Sequence, residues 1–230
     1  MNIWSHMKSN VNQSIRDLTL KINEIYYSLQ GESTHSGRPC VFIRLTYCNL
    51  RCSYCDTEHA FYDGKEMMLS EIIDLVNSFE CQLVEITGGE PLIQKNVLPL
   101  MQDLCDNGYE VLLETAGHMD IRETDQRVKR IMDIKCPSSG ESEKTLWKNI
   151  DFLKNDDEIK FVVGRQEDLV FAKGIIEKYK LYNRCPVIIS PVFGKLNHQK
   201  IAEWILQNHL PVRMQIQLHK VIWEPTARGV

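Results

Sequence analysis

Two rhythms of apolar and polar residues take turns along this chain. Short apolar runs predict strands at Lys21–Tyr27, Cys40–Leu45, Leu83–Ile86, Glu110–Glu114, Arg130–Lys135, Glu158–Val163, Pro186–Ser190 and Arg213–Gln217. Between them, apolar residues fall at helical spacing. Leu69, Ile72, Ile73, Val76 and Phe79 share one face of a helix over Leu69–Phe79, with Ser70 as its cap. Further helices are predicted over Gln94–Asn107, stopped by Gly108, and over Leu146–Leu153, Gln166–Lys180 and His198–Gln207. Strands that alternate with helices imply parallel β-α units rather than a sandwich. The polar residues that could do chemistry stand just after the strands, where β/α barrels place it.

Composition narrows the class. With 230 residues, 43% of them hydrophobic, the chain can bury one full α/β core. Its net charge of −4 argues against a dedicated nucleic-acid binder. No apolar run approaches the ~20 residues that span a bilayer. The first residues lack a positive segment followed by an apolar one, so no secretory signal is expected and the location is read as cytoplasmic. Residues 1–19 have no clear period, and Ser5-His6-Met7 resembles a cloning remnant. That sets a partly non-native arm, 1–19, apart from a single domain, 20–230.

Eight cysteines change the picture more than the charge does. A reducing cytosol makes disulfides a poor explanation, and Cys40, Cys81, Cys105, Cys136 and Cys185 read as small buried apolar residues. Cys48, Cys52 and Cys55 differ. They sit in C-x3-C-x2-C spacing within a polar stretch, with no fourth cysteine beside them. Three thiolates on a four-iron cluster leave one iron open to a non-protein ligand. The spacing also allows structural zinc in a Cys3His set completed by His59, or three unligated thiols.

Three further segments carry chemistry. Thr87-Gly88-Gly89-Glu90-Pro91 at a strand end reads either as a tight turn or as a backbone seat for a small zwitterion. Gln30 and Glu32 follow a strand, and Arg44 offers a fork for a carboxylate. Alternation in Val41-Phe-Ile-Arg-Leu45 turns Arg44 away from Val41 and Ile43, and an inward charge needs a partner or a ligand. Asp56-Thr57 reads as a helix-capping pair or as oxygen ligands for a hard cation such as magnesium.

With these residues in hand, the chain resembles the radical S-adenosylmethionine (SAM) superfamily, and more closely its 7-carboxy-7-deazaguanine synthase family. The resemblance runs from about Leu20 onward. Its carriers are Glu24-Ile-Tyr-Tyr-Ser-Leu-Gln-Gly-Glu32, Phe42-Ile-Arg-Leu45, Cys48–Thr57, Thr87–Gln94, Asp133–Gly140, Lys160-Phe-Val-Val163 and the ending His219-Lys-Val-Ile-Trp with Arg228-Gly-Val230. It implies an incomplete parallel (β/α) barrel. It implies a [4Fe-4S] cluster on Cys48, Cys52 and Cys55, and SAM contacts from Gly88, Gly89, Asp133, Ile134, Lys135, Ser190, Pro191, Val192 and Phe193. Substrate contacts would come from Leu29, Gln30, Gly31, Glu32, Arg44, Thr87 and the carboxylate of Val230, and Thr57 would ligate magnesium.

The implied reaction cleaves SAM to a 5′-deoxyadenosyl radical. That radical takes a hydrogen atom from 6-carboxy-5,6,7,8-tetrahydropterin, the ring contracts and ammonia leaves. A reductase or flavodoxin-like electron donor and a homodimer belong to the same expectation, with neither nucleic acid nor membrane as partner. Two departures stand out: Tyr47 replaces a glycine frequent in the family, and Asp133-Ile134-Lys135 replaces Ser-Pro-Lys. The rival readings are another small radical SAM enzyme, such as a glycyl-radical activase, and a non-enzymatic module stabilised by zinc.

Overall fold

The computed structural model describes residues 16–230, so most of the arm lies outside the described residues. Nine strands form one sheet: β1 Thr19–Leu29, β2 Pro39–Leu45, β3 Lys65–Met68, β4 Leu83–Gly88, β5 Glu110–Thr115, β6 Lys129–Asp133, β7 Glu158–Val163, β8 Val187–Pro191 and β9 Arg213–Met214. Their order is β3-β1-β2-β4-β5-β6-β7-β8-β9. From β2 to β9 the neighbours run parallel. The ends β3 and β9 do not pair, so the curved sheet stays an open, incomplete barrel. Helices α1 Leu69–Ser78, α2 Val97–Asp106, α3 Gln166–Tyr179 and α4 His198–Gln207 occupy crossovers, and a single turn, α5 His219–Ile222, follows β9.

The sheet departs from all-parallel at one edge. β1 pairs antiparallel with β2 and with β3. The segment joining β1 to β2 holds no crossover helix, and without one a parallel return is geometrically closed. β3, absent from the apolar pattern, is Lys65-Glu-Met-Met68 and sits at the edge, where charge is tolerated and discourages pairing with another chain. It runs straight into α1, whose N-cap is therefore Met68 rather than Ser70, with the Glu71 carboxylate accepting the Met68 N–H at 2.8 Å.

Other differences have local causes. The helix expected from Gln94 starts at Val97, because the Gln94 amide is spent on Lys21 and on the Thr46 carbonyl. Residues Trp147–Phe152 wind as 3-10 turns. The last strand stops at Met214, after which Gln215 and Gln217 donate to the Ser33 carbonyl and the Glu32 carboxylate and draw the chain off the sheet.

Alternation along the strands sorts the core. Val41, Ile43, Leu45, Val84, Ile86, Val111 and Leu113 face α1 and α2, while Met132, Ile159, Phe161, Val163 and Ile189 face α3 and α4. The opposite set points into the barrel. Cys40, Phe42, Leu83, Leu112 and Ile131 fill its lower layer. Above them the same registers carry Arg44, Glu85, Thr87, Glu114, Asp133 and Lys160.

The lower rim is closed by a buried ion pair. Arg130 donates to Asp157 through its backbone N–H at 2.8 Å, Nε at 2.9 Å and Nη2 at 2.6 Å, and Lys154 N–H adds a fourth bond at 2.7 Å. Removing one partner strands the other charge. Asp157→Ala is expected to cost about 3–5 kcal/mol of unfolding free energy, read by urea denaturation. A loss below about 1 kcal/mol would place the pair among the weakly contributing ones.

Candidate active site

A cavity of about 680 Å³ opens at the C-terminal ends of the parallel strands. Cys48, Cys52 and Cys55 line it from the loop after β2, and Gly88 and Gly89 from the end of β4. Leu29 at the end of β1 and Gln30, Gly31 and Glu32 in the turn after it line the cavity, and Arg44 and Thr87 do so from their strands. Thr57, Asp133, Lys135, Val192, Phe193 and Val230 complete the predicted residues that reach it. Three predicted residues do not. Ile134 is buried among the outward-facing apolar side chains, and Ser190 and Pro191 lie beneath the wall. Only their neighbours, Asp133, Lys135 and Val192, face the cavity.

The three cysteines are free thiols, each half-buried. Burial raises Cys48 and pushes Cys52 up to about 11. Among the described residues no three His, Cys, Asp or Glu side chains gather as they would around a single ion. His59, the fourth ligand of the rival zinc reading, turns its ring to the Glu24 carboxylate at 3.8 Å.

The loop is held by backbone contacts to the glycine turn. Gly89 N–H donates to Leu45 O at 3.2 Å and Glu90 N–H to Tyr47 O at 2.8 Å. Tyr47 keeps a φ of +81°, a conformation that glycine adopts freely and a tyrosine holds at a cost of about 1–3 kcal/mol. Its N–H bond to Ala60 O at 2.9 Å and Lys21 Nζ 5.0 Å from its ring centre hold it there. Glu90 braces the turn from behind. It accepts from Leu92 N–H at 3.1 Å, Ala116 N–H at 2.8 Å and Thr115 Oγ1 at 2.9 Å.

A Cβ on Gly89 would stand 2.2 Å from Tyr47 O and 2.8 Å from Cys48 Cβ. Gly89→Ala must therefore push the first cysteine away. For the cluster and SAM that the resemblance implies, the expected result is a SAM affinity at least about tenfold weaker with depleted iron, checked by equilibrium binding and iron analysis. Wild-type values of both would show that the loop has room to give.

Below the turn lies a charged floor. Arg44 Nε donates to Glu24 at 2.8 Å and Nη2 to Tyr26 Oη at 2.9 Å, leaving three N–H groups. Lys160 Nζ bonds Glu32 at 2.9 Å and also Glu114, whose carboxylate accepts from Thr87 Oγ1 at 3.0 Å. Burial works to raise Glu114, yet the ammonium of Lys160 holds it below the usual carboxylate range. Burial opposes the charge on Lys160, and Glu114 and Glu32 hold it protonated. Lys135 Nζ meets Asp133 Oδ2 at 2.7 Å, while the buried Asp133 Oδ1 has no partner.

A strap of the last residues closes over the cavity. Leu218 N–H donates to Gly31 O at 2.9 Å, Gln217 to Glu32 at 2.9 Å and Lys220 Nζ to Asp56 at 2.5 Å. Gln30, expected to face a ligand with its amide, spends that amide within the protein: Oε1 accepts Glu32 N–H at 2.7 Å and Nε2 donates to Glu85. Glu85, Glu114 and Gln217 line the cavity without having been singled out in the sequence, and Glu24, Lys160, His219 and Lys220, which carry the family resemblance without an assigned role, line it too.

Known proteins resemble this chain over nearly all its length. Residues 42–205 match the family model "Radical SAM superfamily". A protein of Chlorobaculum tepidum named 7-carboxy-7-deazaguanine synthase is 46% identical, with 92% of this chain and 97% of that one covered. One of the same name from Koribacter versatilis is 43% identical, covering 92% of this chain and all of that one, 100%. Among solved structures, QueE from Escherichia coli superposes with a TM-score of 0.74 at 23% identity over 90% of this chain and 98% of that one, a likeness of fold.

Proposed function

The chain belongs to the 7-carboxy-7-deazaguanine synthase family of the radical SAM superfamily, and we propose that the cavity at the C-terminal end of its barrel houses that activity. The chemistry is a radical carbon–nitrogen lyase reaction, from 6-carboxy-5,6,7,8-tetrahydropterin to 7-carboxy-7-deazaguanine with loss of ammonia. One observation carries the assignment: three thiols, a glycine turn and a floor of paired cations and carboxylates line a single cavity.

The residues fit the family's [4Fe-4S] cluster and SAM. Three free thiols with no fourth beside them suit a cluster with one open corner. The raised pKa values of Cys48 and Cys52 make those two thiols until a metal replaces the proton. Gly88 packs against the Leu45 backbone and Gly89 against Tyr47 and Cys48, so closely that a Cβ on either would collide. Asp133 Oδ1 is a buried acceptor without a partner on the same wall. When bound and reduced by one electron, the cluster would supply the reductive cleavage of SAM, with methionine leaving, that makes hydrogen-atom abstraction from the substrate possible.

The chain's own residues bind and orient. Gly88 and Gly89 would seat the amino-acid end of SAM, and Asp133, Lys135, Val192 and Phe193 would line its remainder. Ile134, Ser190 and Pro191 would act only as the backing of that wall. Arg44 presents its three remaining N–H groups to the substrate carboxylate, and Thr57 supplies an oxygen for magnesium beside it. Glu32 and the backbone of Leu29, Gln30 and Gly31 face the guanidine-like edge, and Thr87 and Val230 close the seat. The strap keeps water from the reacting atoms.

Two partners complete the proposal. A reductase or flavodoxin-like protein delivers the electron, and a second copy covers the open side of the sheet. Among the described residues no helix is long and apolar enough to cross a membrane.

The test is anaerobic turnover of reconstituted protein with reductant, SAM, magnesium and 6-carboxytetrahydropterin, read by mass spectrometry. Appearance of 7-carboxy-7-deazaguanine is the expected result. Formation of 5′-deoxyadenosine alone would overturn the substrate, and a full cluster that yields neither would overturn the mechanism.

A further inference from the structure

Glu85 is a buried acid that the reaction above does not use. It stands on β4 two residues before Thr87, facing inward between Phe42 of β2 and Leu112 of β5 in register. Only 3% of it is exposed. A carboxyl group in such a place is costly unless bonded or neutral. Its carboxyl accepts from Gln30 Nε2 across the barrel.

Gln30 is equally buried and anchored at every other point. Its backbone N–H donates to Arg38 O at 2.8 Å, its carbonyl accepts Gly37 N–H at 2.7 Å and its Oε1 accepts Glu32 N–H at 2.7 Å. The amide is thus a strut from β4 to the turn that carries Gly31 and Glu32. Those two residues receive the strap, through Leu218 on Gly31 and Gln217 on Glu32.

We propose that Glu85 is a positioning residue for the carboxylated pterin: acting through the amide of Gln30, it fixes the Leu29–Glu32 turn and the strap bonded to it. This rests on the function assigned above. It touches no reacting atom, so its effect belongs in substrate affinity rather than in the chemical step.

The charge state of Glu85 follows from its surroundings. Arg44 faces it from β2, Glu114 from β5, Lys160 from β7, Glu32 and Gln30 from the turn, and Tyr26 and Cys40 are also near. Burial raises its pKa most and Glu114 adds to that, against Lys160 and Arg44, and the net effect is a carboxyl held well above the usual range. A neutral acid sits quietly beside Glu32 and Glu114. As pH rises through that elevated value, a new negative charge appears between them and the seat is disturbed.

The experiment is a double-mutant cycle over Glu85→Leu and Gln30→Leu, with Glu85→Gln as the conservative variant. It reads KM and kcat for the pterin from pH 6 to 9, and pterin affinity by calorimetry. Glu85→Leu is expected to raise KM and Kd about tenfold or more while kcat changes less than about threefold. The double variant should be no worse than the poorer single one, since both break one strut. Glu85→Gln should recover most of the lost affinity and remove the alkaline rise in KM. If Glu85→Leu does not fold, Gln30→Leu and the pH profile of Glu85→Gln decide.

Effects that multiply in the double variant, or a Glu85→Leu affinity within twofold of wild type, overturn the proposal alone. So does a Glu85→Gln profile that keeps the wild-type alkaline limb. A wild-type protein that binds no carboxylated pterin overturns the substrate assignment and this proposal with it.

Discussion

Cys52→Ala, purified and reconstituted without oxygen, is expected to hold little iron and to form no product, whereas Cys136→Ala keeps wild-type iron. Cys52 lines the cavity with Cys48 and Cys55. Taking it away leaves two protein thiolates where the cluster needs three, with no fourth cysteine on the wall to substitute. Cys136 is the instructive control. It follows the predicted SAM-contact segment Asp133–Lys135, yet its thiol is fully buried among Met132, Ile134, Phe161 and their neighbours on the outward face of the sheet. Burial raises its pKa well above the ordinary value, as for an inert core thiol. Its truncation removes one small buried group, a cost of about 1 kcal/mol on the methylene scale. Iron and sulfide per chain, measured on both variants, separate the roles. Equal iron in the two would sink the ligand assignment.

What made the fold legible was the same alternation that hid part of the site. β7 was readable to the residue, Glu158–Val163, because its apolar residues face helices. β3 was not, since Lys65-Glu-Met-Met68 is an edge strand specified by its neighbours and not by its own pattern. Like Arg44, Glu85 in Leu-Val-Glu-Ile-Thr, Glu114 in Val-Leu-Leu-Glu and Lys160 in Glu-Ile-Lys-Phe are charges on the inward face of apolar strands, so the same alternation, strand by strand, marks the charged floor. Gln30 shows the limit of that reasoning. Its side chain could be placed at the seat from sequence, but its partner Glu85 is 55 residues away, and only the folded barrel shows that one amide N–H and the amide oxygen are already engaged. Ile134 and Ser190 show a related limit: Ile134 alternates outward between Asp133 and Lys135, which both face the cavity, while Ser190, in register with Val162, is buried beneath the lining.

Arg44→Ala is expected to lower kcat/KM for the pterin by about a hundredfold or more, chiefly through KM. The guanidinium is held rigid by Glu24 and by the Tyr26 hydroxyl. Burial pushes the Tyr26 phenol up to about 12, so it remains a phenol across any practical assay pH. A pre-set fork loses little entropy when a carboxylate arrives, and hydrogen bonds to charged groups are worth about 1.5–3 kcal/mol each way. Truncating one partner of a buried, bonded charge pair costs about 2–5 kcal/mol, and about 1.4 kcal/mol is tenfold. Two such decades follow if the carboxylate loses its fork. Arg44→Lys should restore less than a tenth of the lost activity, because one ammonium cannot hold Glu24 and a planar carboxylate together. Glu24→Gln leaves the fork present but looser and is expected to cost only about tenfold. Steady-state kinetics on the three variants, with iron content as a check on the fold, reads the order directly. An Arg44→Ala loss below about threefold, or full rescue by lysine, would mean that the substrate carboxylate is held elsewhere on the floor, with Lys160 the next cation to test.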